Sequence, residues 1–275
     1  MGKLLKRFLA YTIDLMVVMI IVQSLSSVEF INRQLPKYNK YSNQYVELMT
    51  DYSNFKLDLN KNFEDKEISE EEYNKLIEKH DSYKDILVTY YEDSKITEKE
   101  YTKLNKKIDK MYQDDYKEIA YKMDKNSIIC FIIYLVVVFL YFGGFNKITN
   151  GQTLGKKLTR LRIVNNKDKN QNISIFKYFI RAFLLYQPIS YLARLIGVLL
   201  CGQGSYYTLI SVIGDIQYYV EVVILLMIMV RVDGRGLHDI LAGTRVILLD
   251  RFGEEVEDGR SLAKKKLEEK QESID

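Results

Sequence analysis

Four apolar runs punctuate the chain, and one long polar stretch separates the first from the other three. The first run, residues 8–28, has 21 residues. At 1.5 Å per residue that is enough helix to cross a hydrocarbon core of about 30 Å. The second, residues 128–145, reads IICFIIYLVVVFLYFGGF and carries no charge. The third, residues 178–200, contains Arg181, Pro188 and Arg194. Proline lacks an N–H and crowds the preceding turn, so this helix should kink or split. Residues 173–187, which overlap its start, also suit an amphipathic helix lying in the interface. The fourth, residues 206–230, ends in VVILLMIMV but contains Asp215 and Glu221. The pattern predicts an all-α membrane protein with about four transmembrane helices.

The polar stretch, residues 31–126, has an order of its own. Residues 64–81 read EDKEISEEEYNKLIEKHD and residues 92–109 read EDSKITEKEYTKLNKKID, 28 residues apart with 10 of 18 positions identical. Each copy begins with a capping box, Ser69 with Glu72 and Thr97 with Glu100, in which the cap and the third helical residue satisfy one another's free N–H groups. Ile68 with Tyr73, and Ile96 with Tyr101, have the spacing of a hydrophobic staple. Two copies are too few for a solenoid. The expectation is a helical hairpin or small bundle, with the tyrosines of this stretch in its core and seams.

Charge orients these elements. The formal net charge of +3 conceals a split: residues 31–126 hold 18 Lys/Arg against 21 Asp/Glu, and the remainder 22 against 16. The basic excess flanks the apolar runs, at Lys3, Lys6 and Arg7, at Lys147 to Lys169, and at Arg231, Arg235 and Arg245. The loop near Gly202 has none. By the positive-inside rule both termini are cytoplasmic and the insert lies outside. A cleavable signal peptide also places lysines before an apolar run. The acid inside this run, and the lack of a small-x-small cleavage site, favour a permanent first helix. The organisation expected is residues 1–30 as first span, 31–126 as extracytoplasmic helical insert, 127–250 as the remaining membrane domain, and 251–275 as a charged cytoplasmic tail.

Few catalytic chemistries fit. His80 and His238 are the only histidines, and Cys130 and Cys201 both lie in apolar runs. Neither a metal set nor a catalytic triad can be assembled, and no disulfide framework is expected. Residues 151–156, Gly-Gln-Thr-Leu-Gly-Lys, resemble a phosphate loop only superficially: three residues separate the glycines instead of four, and Lys157 follows Lys156 where Ser or Thr is required. Two short segments end alike in β-branched tails, Leu161-Arg162-Ile163-Val164 and Thr244-Arg245-Val246-Ile247-Leu248. They are expected to pair as a short ribbon on the cytoplasmic side.

Three motifs in order resemble the RDD (Arg-Asp-Asp) family of bacterial multi-pass membrane proteins. They are Arg7 with Asp14 in the first helix, the segment containing Gly151, Thr153, Gly155 and Lys156, and the segment containing His238, Asp239, Gly243 and Thr244. The name-giving residues would be Arg7, Asp14 and Asp239. The resemblance implies the bacterial cell membrane, and some members look like cation/proton antiporters while others look like partners of membrane proteases or stress systems. The insert of about 95 residues is a departure, since members usually lack one.

The ionisable residues at membrane depth are Asp14, Arg181, Arg194 and Glu221, and such residues are functional candidates by default. For Asp14 the structural alternative is a pair with Arg181 or Arg194. Asp239 is expected to cap its own helix or pair with Arg7 or an arginine of the basic loop. Lys156, Lys157, Arg160 and Arg162 suit anionic lipid head groups. No cofactor, metal, nucleic acid or enzymatic activity is expected. Two functions remain. The first, favoured by the duplicated insert, is an accessory or scaffold module that binds an extracytoplasmic partner. The second is a cation/proton antiporter or other small-solute transporter with Asp14 and Glu221 as exchanging carboxylates. With only four spans, the second also calls for a homo-oligomer.

Overall fold

The computed structural model describes residues 2–33, 35–63, 68–91 and 95–256. The starts of both repeat copies and the charged tail from residue 257 lie outside them. The chain divides into two compact units, Met1–Arg33 with Ile128–Asp275, and Gln34–Ser127.

Helix α1 (Lys3–Ser26) opens the first unit. The second unit contains α2 (Pro36–Asn62), α3 (Glu70–Lys79), α4 (Lys84–Tyr90) and α5 (Glu98–Lys125). The two long helices, α2 and α5, pack along one another. Their core holds Phe55, Leu59, Leu76, Tyr83, Leu87, Leu104 and Ile108, and the Phe55 and Tyr83 rings stack at 4.1 Å. The two repeat copies meet through equivalent residues. Ile68 pairs antiparallel with Ile96, and both are fully buried. Tyr73 and Tyr83 are buried, whereas Tyr112 and Tyr116 lie in a partly exposed seam beside Tyr52 and Tyr45. Ser69 caps α3 as its sequence requires: its backbone N–H donates to Glu72 Oε2 at 2.8 Å, and its hydroxyl accepts from the Glu72 N–H at 3.5 Å. Ser69→Ala should therefore destabilise this unit by about 1 kcal/mol. The check is a lower urea midpoint for the intact protein by far-ultraviolet circular dichroism.

The first unit resumes with α6 (Ile128–Ile148), whose turns from Leu140 to Phe145 widen into a π-helix. Such π turns are rare and occur as short bulges inside α-helices. Here Phe179 crosses Gly143 so closely that a Cβ at Gly143 would overlap the ring. Next come the one-turn helix α7 (Leu154–Leu158) and strand β1 (Leu161–Asn165). Then follow α8 (Ile175–Leu185), α9 (Pro188–Leu200), α10 (Gln203–Val230), the short α11 (Leu237–Leu241) and β2 (Thr244–Leu248). Strands β1 and β2 pair antiparallel, Leu161 opposite Leu248 and Asn165 opposite Thr244, which is the ribbon the two β-branched tails predict.

Helices α1, α6 and α10 are long and apolar enough to cross a bilayer, and α8 with α9 forms a fourth span if the bent pair is counted as one. The bend between them is 76°. Gln187 at the break has a φ of +56°, and Pro188 begins α9, the one helical position where its missing N–H costs nothing. The carbonyls freed by the break are not wasted: Leu185 O accepts from the Tyr11 hydroxyl at 3.2 Å and Tyr186 O from the Tyr134 hydroxyl at 2.7 Å. The apolar core of this unit gathers Val18, Tyr134, Val138, Phe142, Ala182 and Tyr186.

Candidate functional site

Asp14 is fully buried, and every group around it has a reason to face it. Thr153 is the N-cap of α7, with its side-chain oxygen accepting from the Lys156 N–H at 3.5 Å. The same hydroxyl donates to Asp14 Oδ2 at 2.5 Å. The Gly155 N–H, free because it lies in the first turn of α7, donates to Asp14 Oδ1 at 2.8 Å. Tyr141, turned inward from α6, donates to the same oxygen at 2.9 Å and accepts from the Leu154 N–H at 3.2 Å. The Lys156 ammonium lies 3.4 Å from Asp14 Oδ2 and 3.0 Å from Thr153 Oγ1. The carboxylate of α1 thus completes the N-terminus of α7. Gly155 makes the approach feasible: a Cβ there would overlap the Ala10 carbonyl oxygen and come within 2.9 Å of Asp14 Oδ1.

The partner of Asp14 is therefore Lys156, not Arg181 or Arg194 as the sequence suggests. Of the four cations offered to lipid head groups, Lys156 is corrected on the same ground: its side chain is buried against Asp14. Burial pushes its ammonium below the usual lysine value, against the opposing pull of Asp14. Lys157 and Arg160 are exposed and Arg162 is half-buried.

A second buried carboxylate, Asp239 in α11, organises the other cluster. Its Oδ1 accepts from Arg181 Nη1, and that same Nη1 reaches Thr244 Oγ1 at 2.6 Å. Its Oδ2 lies 3.3 Å from His238 Nε2, 3.7 Å from Arg7 Nη2 and 3.3 Å from the Gly236 N–H, so it also caps its own helix. Arg7 donates in addition to the Gly234 carbonyl. Burial alone would raise the Asp239 carboxyl, but Arg181, His238 and Arg7 outweigh it and hold the group well below the usual carboxylate range. His238 is pushed down by its own burial, against the opposing pull of Asp239. Gly243, at φ +61°, makes the turn that delivers Thr244 into β2. Gly151, at φ +84°, does the same before α7. Of the name-giving residues, Arg7 and Asp239 thus belong to one cluster and Asp14 to the other.

The remaining carboxylate, Glu221 in α10, differs from both. It accepts from Gln217 at 2.9 Å and from Gln187, at the α8–α9 break, at 3.2 Å. It lines two cavities. One, of about 370 Å³, is largely apolar and is walled by Phe8, Tyr11, Leu185 and Ile228, with Arg7, Lys156, Arg181 and His238 also on its lining. The other, of about 470 Å³, holds Gln187, Ser190, Arg194, Gln217 and Tyr218. Gln217 is buried, and its Oε1 has no hydrogen-bond partner among the described residues. Asp215 is exposed.

Sequence reasoning missed Tyr141 and the Arg181–Asp239 pair. The available signal for Tyr141 was a phenol inside an otherwise chargeless run, facing a buried acid. A model described as the RDD family matches residues 104–243, which covers the Thr153, Lys156, Arg181, Glu221 and Asp239 positions but not Arg7 or Asp14. No curated protein and no solved structure matches the chain.

Proposed function

The chain belongs to the RDD family, and from that premise we propose that its membrane unit carries a small solute across the bilayer, coupled to protonation of Glu221. The observation that supports this is the position of Glu221 on two cavities at once, beside a broken helix. Discontinuous helices with unwound backbone at the break are where membrane carriers build their solute sites. Asp14 is not the exchanging group in this reading. Its oxygens are committed to Thr153, Gly155, Tyr141 and Lys156, and releasing them would strand a lysine.

Charge narrows the solute. Three cations, Arg7, Lys156 and Arg181, line the largely apolar cavity; Asp14 and Asp239 are paired with them, and Glu221 on the same lining is the third carboxylate. In the proposed cycle a proton on Glu221 leaves the cations in surplus, and a surplus cation in a low-dielectric wall repels a metal ion and attracts an anion. The solute is therefore an organic anion with an apolar body, moving with a proton. The positive-inside distribution supports a reading in which the termini and this cavity's basic end face the cytoplasm of a bacterial cell and the insert lies outside.

The test uses proteoliposomes of the full chain, loaded with a pH-sensitive dye. Lactate, glutamate or sodium chloride is added outside. An organic anion should acidify the lumen, Glu221→Gln should abolish that response, and deletion of residues 34–127 should leave it. Alkalinisation driven by sodium chloride alone would instead favour cation/proton antiport. If Glu221→Gln moves protons as the parent does, the proposal fails. The scaffold reading retains one specific support, the separate core of the unit Gln34–Ser127. It gains if deleting that unit alone removes the cellular phenotype.

A further inference from the structure

A third cavity, of about 300 Å³, has a chemistry unlike the other two and plays no part in the passage proposed for Glu221. It lies between the end of α6, the Asn150–Gly151 turn, the edge of β1 and the loop that leads into α8. Its lining includes three cations, Lys147, Arg162 and Lys169, together with the carboxamides of Asn150, Asn170, Gln171 and Asn172. No carboxylate lines it. We infer that this cavity binds a phosphate group.

The cations keep hydrogen-bonding capacity for such a ligand. Arg162 spends only Nε on the protein, donating to the Asn150 carbonyl at 3.0 Å. Among the described residues no carboxylate pairs with it, so its planar fork is available to two oxygens of one phosphate. Lys147 donates one of its three protons to the Ile173 carbonyl at 2.9 Å. Lys169 makes one loose ion pair, 3.8 Å from Glu255 Oε2. Asp168, the nearest acid in the loop sequence, turns its Oδ1 to the Asn170 N–H at 2.9 Å.

The frame is held from several sides. Asn150 and Gly151 both adopt positive φ, +51° and +84°, and the Ile163 N–H donates to the Gly151 carbonyl at 3.0 Å. A Cβ at Gly151 would overlap the Ile163 carbonyl oxygen. Asn165 clamps the loop by donating to Gln171 Oε1 at 2.6 Å. Tyr178, buried, closes the base. Ile148, which follows Lys147 in the chain, and Phe176, two residues before Tyr178, are largely exposed apolar residues of the helices that meet at this cavity. The phosphate could thus belong to an anionic phospholipid head group or to a soluble ester, and the shared chemistry is the phosphate itself.

The experiment keeps the whole protein. Native mass spectrometry counts phosphatidylglycerol and phosphatidylcholine retained by the detergent-purified chain, and equilibrium dialysis measures labelled inorganic phosphate and glycerol 3-phosphate. The variant Lys147→Gln/Arg162→Gln is compared with Lys103→Gln/Lys106→Gln, which removes two exposed cations outside the cavity. At one head-group attraction per cation, the first variant should bind roughly 30-fold more weakly, and the second should bind as the parent does. Retention of phosphatidylglycerol alone identifies a lipid, and binding of the soluble phosphates as well identifies an open phosphate site. Parent binding by the cavity variant, equal losses in both variants, or no binding in either arm overturns the inference. Unchanged thermal midpoints in both variants guard against misfolding.

Discussion

Asp14→Ala should lower the stability of the membrane unit by about 3–5 kcal/mol, the usual cost of stranding one partner of a buried charge pair. The substitution leaves the Lys156 ammonium buried without its carboxylate. It also orphans the Tyr141 hydroxyl, the Thr153 hydroxyl and the Gly155 N–H at once. Asp14→Asn should cost less, because a carboxamide oxygen still accepts two of those bonds. Lys156→Met in the Asp14→Asn background should recover part of the loss, since the stranded charge is then gone. That recovery separates the ion pair from mere packing. Gly155→Ala should be damaging on its own, by about 1–3 kcal/mol or more, because its methyl group would have to displace the Ala10 carbonyl and the carboxylate together. Cys130 and Cys201 are half-buried, so the midpoint can be read as the temperature at which a thiol-reactive dye gains access. A parent-like midpoint for Asp14→Ala would mean that the carboxylate is not a packing lock, and would return it to the list of exchanging groups.

The spans, the ribbon and the repeat were legible because each follows from periodicity or from local chemistry. Residues 128–145 announce a buried helix by having no charge, and Pro188 announces a break by lacking an N–H. The β-branched tails announce strands, and Ile68 and Ile96 occupy equivalent repeat positions that turn out to pair. What could not be read was which charge takes which partner. From sequence, Asp14 could reach any cation brought near it, and arginines within apolar runs looked nearest in depth. The choice of Lys156 depends on α7 ending a tight turn against α1, which in turn depends on a missing Cβ at Gly155 and a left-handed Gly151. Those are tertiary facts with only a glycine as their trace in the chain. The same holds for Glu221. The sequence marks it as costly in a bilayer, but only the α8–α9 bend brings Gln187 to it and opens a cavity on each side.

Arg181→Met should cost about as much as the loss of Asp14, again about 3–5 kcal/mol, while preserving most of the side chain's apolar stem. Asp239 is fully buried, and Arg181 is the strongest of the cations that hold its carboxyl low. The neighbours that remain are weaker substitutes: Arg7 stands 3.7 Å away, and burial pushes His238 down from the usual imidazole value. Acid titration supplies a second readout with a definite sign. In the parent, the folded carboxyl lies below its unfolded value of about 3.9, so this pairing contributes fully above that pH and its contribution is lost as the pH falls through the folded value. In Arg181→Met, burial is opposed by less positive charge, the folded value rises, and the acid-side loss should shrink. Adding Asp239→Asn should restore part of the neutral-pH stability and remove the carboxyl's share of the pH dependence altogether. Thermal midpoints from pH 7 down to about pH 2 decide the matter. If Arg181→Met melts like the parent at neutral pH and loses stability with the same acid profile, then Arg181 is not the counter-charge of Asp239, and the two clusters are not the buried frame around which this membrane unit is packed.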